Sequence, residues 1–198
     1  HTAHLNRPKI TCYRLLDEFK RIPEFADLYV VKYSTIIMSI SQISETLFIL
    51  AIPFFLKRFG IKKVMLMSMF AWVLRFGLFA YGDPADLLWM IILSNIIYGM
   101  AFDFFNISGS LFVETTVDTK IRASSQGLFM MMTNGFGAII GSLASGYLID
   151  HYFTGGNGNK DWNGIWLTFA AYALVVTVLF AILFKHKHNP EDTKSFSH

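Results

Sequence analysis

The sequence predicts an all-α membrane protein of five transmembrane helices, and three observations carry that prediction. Of its 198 residues, 54 % are hydrophobic and only 16 % charged, whereas soluble domains are about a quarter charged. The apolar residues gather into five stretches, at about 34–56, 63–82, 86–112, 123–150 and 163–185. Each is near the ~20 residues that cross a ~30 Å hydrocarbon core at ~1.5 Å per residue. Basic residues then alternate between connectors: Lys57, Arg58, Lys62 and Lys63, later Lys120 and Arg122, finally Lys185 and Lys187, with no base or only Lys160 in the connectors between. Such alternation sets the basic side, and with it the C-terminus, in the cytoplasm.

Residues 1–32 mix Arg7, Lys9, Arg14, Lys20 and Arg21 with Asp17, Glu18, Glu24 and Asp27, and are expected to form an extracytoplasmic connector. Cys12 to Ile22 has the pattern of a short amphipathic helix, although a solvated connector is the simpler reading. Cys12 is the single cysteine, which excludes an internal disulfide. An odd number of spans after an outside start, and an opening His1 without a start methionine, make the chain read as a piece of a longer polypeptide. Residues 33–187 form the helix bundle, and 188–198 a cytoplasmic tail.

The first span places Glu45 in an otherwise apolar run. A charge at that depth costs between ~2.5 and more than ~10 kcal/mol, so the acid has to be protonated, paired or facing a wet cavity. Ser41, Gln42 and Glu45 stand at helical spacings, which gives this helix a polar stripe. The second span carries a buried cation, Arg75, which needs a partner for the same reason. In the third, Asn95, Tyr98, Phe102 and Asn106 recur every three or four residues, with Gly99, Asp103 and Ser110 alongside. A face both polar and aromatic suits a flat ligand that stacks and hydrogen-bonds at its edges. Asp103 therefore has two readings, a group that handles ligand or proton, or the counter-ion of Arg75. Asn106 to Ser108 matches a glycosylation sequon only formally, since it lies inside a span.

The fourth span is rich in glycine, and Gly137, Gly141 and Ser145 repeat every four residues, a stripe that lets another helix approach closely or rock against it. Thr133 and Asn134 could reach a cavity, but a hydrogen bond to a neighbouring helix is the commoner fate of such residues. No metalloprotease HExxH, paired CxxC, GxSxG or phosphate loop occurs. The net charge of +3 is spread over connectors without interleaved exposed aromatics, so no nucleic-acid partner is expected.

Phe55 to Lys63 resembles the glycine-and-base loop of the major facilitator superfamily. Ser39–Leu50, Phe79–Pro84, Ala101–Ser110 and Met131–Gly137 more closely resemble the bacterial nucleoside:proton symporters of that superfamily, and the similarity runs from about Tyr33 to Lys187. The resemblance implies a twelve-helix transporter working by alternating access, with helices eight to twelve in this chain. It implies that Gln42 and Glu45 of helix eight, and Tyr98, Phe102 and Asp103 of helix ten, bind the nucleoside, and that Glu45 and Asp103 couple its movement to protons. The proton is then the coupling ion, with no other cofactor. The implied partners are a nucleoside, the lipid bilayer and an N-terminal half, and the implied location is the bacterial inner membrane. A sugar or drug carrier of the same fold, an assembly domain built on the glycine stripe, and an intramembrane hydrolase are the alternatives.

Overall fold

The computed structural model describes residues 34–82, 88–155 and 160–186; the predicted connector 1–32, the tail 188–198 and the side chain of Ser41 lie outside the described part. All the long elements described are helices. Helix α1 spans Ser34–Tyr81, 48 residues, and helical geometry fails inside it only at Gly60. A straight helix of that length would reach about 70 Å, roughly twice the thickness of a membrane core. Gly60 adopts φ 78° and ψ 166°, a backbone conformation open to glycine because it has no Cβ. The expected connector Lys57 to Lys63 is therefore a bend at one residue, with helix on both sides. The bend folds its own flanks together. Ile52 and Leu56 before it, and Ile61, Val64 and Met65 after it, share one core with Phe104 and Leu111.

Helix α2, Leu88–Thr116, supplies those last two residues and runs four positions beyond the expected limit at 112. Thr115 Oγ1 donates to the Leu111 carbonyl at 2.9 Å, within that added turn. Phe104 fills the middle of the α1–α2 contact, with the rings of Phe55 and Phe48 at 5.1 and 6.0 Å.

Helix α3, Arg122–Met130, continues through a π-helical stretch, Met131–Gly137, into α4, Ala138–Tyr152. The wide turns fall where Gly135 and Gly137 leave the backbone least encumbered. Gln126 fastens the start of this run to α2, its Nε2 donating to the Ser110 carbonyl at 2.6 Å and its Oε1 accepting from Ser110 Oγ at 2.9 Å. Helix α5, Trp162–Leu183, is capped by Asp161, whose Oδ1 accepts from the Gly164 backbone N–H at 3.0 Å.

Two bonds hold α5 against α1 at opposite ends. Asn163 Nδ2 donates to the Ala80 carbonyl at 2.6 Å, and Lys62 Nζ donates to the Ala181 carbonyl at 3.0 Å. The second sets a cation against the last turn of a helix, where the macrodipole favours it. It also brings the Lys57–Lys63 bases beside the end of α5, the pairing of connectors that the charge alternation anticipates. Trp166 packs between them, buried against Phe79 at 5.0 Å and Phe76 at 6.0 Å.

Among the described residues, four helices are long and apolar enough to cross a membrane: Gln42–Tyr81, Trp89–Thr116, Arg122–Tyr152 and Trp162–Leu183. The first is the run broken at Gly60, so the five predicted stretches occupy four helices in the structure. Leu50, Phe54, Ile140, Leu143, Leu179 and Leu183 stand exposed on these helices, surface that suits hydrocarbon rather than water.

Candidate functional site

The site is built at a close approach of α1 and α2. A Cβ placed on Gly99 would stand 2.6 Å from both Cα and N of Glu45, so only a residue without a side chain lets the two backbones meet there. Ser44 completes the contact by donating from Oγ to the Ile96 carbonyl at 2.6 Å. The backbone contact holds Glu45 against the middle of α2.

Asp103 lies one turn beyond Gly99 on the same face of α2. It is only 7 % exposed, and among the described residues its Oδ2 has no hydrogen-bond partner. Glu45 stands close enough to interact with it electrostatically. Two acids from different helices thus converge in a part of the protein composed of apolar residues. Asn95, Gly99 and Asp103 recur every four residues and form the buried inner face of α2.

Tyr98 and Phe102 border that face, with ring centroids 6.1 Å apart and planes inclined at 30°. Tyr98 is half-buried and Phe102 is 37 % exposed, so the pair presents open aromatic surface beside the acids. Gln42, one turn before Glu45 on α1, is exposed, and Glu45 is half-buried. All five residues expected at a binding site therefore flank one contact between two helices.

Several expectations change on inspection of the contacts. Asn106 directs its amide to its own helix, Nδ2 donating to the Phe102 carbonyl at 3.0 Å, and Asn95 Nδ2 likewise donates to the Ile91 carbonyl at 3.0 Å. Thr133 and Asn134 bond to Phe129 and Met130 within their own helix and not across to another. The guanidinium of Arg75 lies over aromatic rings, those of Tyr98 at 4.1 Å, Phe79 at 5.2 Å and Trp72 at 5.6 Å. Asp103 has another acid, Glu45, as an electrostatic neighbour.

Residue reasoning overlooked Ser44, Ser94 and the part played by Gly99. The signal available was the spacing of small and polar residues at 95, 99 and 103, which marks a face made for close packing. Ser94 is fully buried and donates from Oγ to the Arg75 carbonyl at 3.2 Å, fastening the second limb of α1 to α2.

Membrane-length helices that bring two acids from different helices close together, with two rings bordering the same helix face, describe a multi-pass membrane protein with a candidate polar site. The sequence pattern of the nucleoside H+ symporter family matches residues 2–189, and the chain belongs to that family. It is similar to xanthosine permease of Escherichia coli strain K12, 60 % identical over 180 residues, covering 90 % of this chain and 43 % of that protein. Nucleoside permease NupG of the same strain is 55 % identical over 186 residues, covering 92 % of this chain and 44 % of its own length. The crystal structure of nucleoside transporter NupG superposes with a TM-score of 0.81 at 55 % identity, over 88 % of this chain and 43 % of that one. The chain thus spans less than half the length of the relatives it matches, all of them transport proteins and none an enzyme.

Proposed function

We propose that this chain supplies the C-terminal half-site of a proton-coupled nucleoside transporter that works by alternating access. The observation that carries the reading is the convergence of Glu45 and Asp103 across the Gly99 contact, beside the open Tyr98–Phe102 pair. Two carboxyl groups on facing helices give a proton a place to bind beside the substrate. Such a pair takes up a proton when the cavity faces outside and releases it when the cavity faces the cytoplasm. Tyr98 and Phe102 offer rings on which a base stacks, and Gln42 offers an amide for its polar edge.

In this reading the two limbs of α1 cross the membrane separately at the Gly60 bend, giving five spans with the C-terminus in the cytoplasm of a bacterial inner membrane. An N-terminal half closes the cavity, and the exposed glycine face of Arg122–Tyr152 is one surface on which it moves. The relatives named for xanthosine and for nucleosides favour this over a sugar or drug carrier.

The test is uptake of labelled uridine and adenosine by the full-length protein in proteoliposomes, with and without an inward proton gradient. The parent is expected to accumulate nucleoside only with the gradient. Glu45→Gln and Asp103→Asn are expected to insert normally and to lose that accumulation. Gradient-independent uptake by the parent, or undiminished accumulation by both variants, would overturn the proposal.

A further inference from the structure

We propose that Arg75 is a positioning residue for nucleoside binding, acting through the ring of Tyr98. The inference rests on the function proposed above and adds a residue outside the expected site. Arg75 comes from the second limb of α1, is 7 % exposed, and carries its guanidinium 4.1 Å from the Tyr98 centroid. That is well inside the ~6 Å range of a cation over a ring, and the planar, permanently charged guanidinium suits stacking in a way a lysine ammonium does not.

The contact is reinforced from the backbone. Ser94 stands one turn before Tyr98 on α2, and its hydroxyl bonds the carbonyl of Arg75 itself. Main chain and side chain of Arg75 are thereby held to the same face of α2. Trp72, one turn before Arg75, meets the Tyr98 ring edge-on, with centroids 5.8 Å apart and planes at 84°. Tyr98 is thus confined by a cation and an indole from α1, while Phe102 continues its exposed side. A ring already fixed loses little freedom when a ligand stacks on it, and that saving appears as affinity. The arrangement also couples the second limb of α1 to the substrate surface.

The experiment is a double-mutant cycle in the full-length transporter, reading adenosine affinity by calorimetry and thermal stability in the same detergent. Arg75→Met is expected to weaken adenosine binding by about three- to tenfold, the factor that corresponds to freeing one side chain. Arg75→Lys, which keeps a cation near the ring, is expected to fall between Arg75→Met and the parent. Tyr98→Leu should also weaken binding, and Arg75→Met added to it should cost nothing further. Equal losses from Arg75→Met in both backgrounds, or reduced stability with unchanged affinity, would make Arg75 structural and overturn the proposal. If Arg75→Met fails to fold, the same cycle run with Arg75→Lys decides between those outcomes. Tyr98→Leu binding as the parent does would instead remove Tyr98 from the site, and this inference would fall with the function it rests on.

Discussion

Helix α2 and the run Arg122–Tyr152 are both apolar, glycine-bearing and long enough to cross a membrane, yet they are used in opposite ways. In α2, Ser94, Asn95, Ala101, Asp103, Phe104 and Ser108 are buried, and Gly99 touches the backbone of Glu45. In the other run no residue from Arg122 to Gly137 is buried, and a Cβ on Gly127, Gly141 or Gly146 would meet nothing within 4 Å. By composition the second helix is the better candidate for tight packing. Small residues permit close approach, but a contact forms only where another helix presents a surface that fits. In α2 that surface is present in the chain; beside Gly141 it is absent among the described residues.

The contrast is broken most severely at Gly99. Gly99→Val places carbon against backbone atoms that cannot move without separating α1 from α2, and overpacking of this kind costs ~1–3 kcal/mol or more. The variant should melt well below the parent in detergent and lose nucleoside binding with it. A melting temperature equal to the parent's would show that the helices are not held at this contact.

Removing an exposed ring beside the same contact should act on binding without unfolding the protein. Phe102→Ala is expected to weaken nucleoside affinity by the worth of one base stacked on one ring, ~1–3 kcal/mol. An unchanged binding isotherm would reassign Phe102 to packing.

Gly109 sharpens the comparison because its obstacle is softer. A Cβ there would meet the far end of the Phe129 ring, which swings aside more cheaply than backbone. Gly109→Ala should therefore lower the melting temperature by clearly less than Gly99→Val. An equal or larger loss would mean that the α2–α3 contact is as rigid as the α1–α2 contact.

The smallest effect is expected at Gly141. With nothing for a methyl group to strike, Gly141→Ala should leave stability unchanged or raise it slightly, since alanine favours helix over glycine by up to ~1 kcal/mol. A clear loss of stability in this chain would reveal a neighbour packed on the glycine face.

How much of this was legible beforehand depends on whether a feature is local. The spans were legible because an apolar run of membrane length is a property of consecutive residues: α5 begins and ends within two positions of its expected limits. Glu45 and Asp103 stood out for the same reason, each an acid in an apolar run where its charge needs an explanation. The Gly60 bend was only partly visible. Four bases and a glycine suggested a loop, but whether a chain turns over several residues or at one is a matter of dihedral angle, and Gly60 alone leaves the helical region.

Arg75 marks the limit most clearly. Its sequence position shows that a buried cation needs company, and at helical spacing an acid and a group of rings are both within reach. Periodicity reports which residues share a face of one helix, but not how far that helix is rotated about its axis or slid along its neighbour. The Gly99–Glu45 contact and the Ser94–Arg75 bond set that rotation and offset, and they place Tyr98 under the guanidinium and Glu45 beside Asp103. From the sequence alone come the helices, the intramembrane charges and the family to which they belong. Which charge meets which ring is decided only when two helices pack, because side-chain meetings depend on contacts between residues distant along the chain.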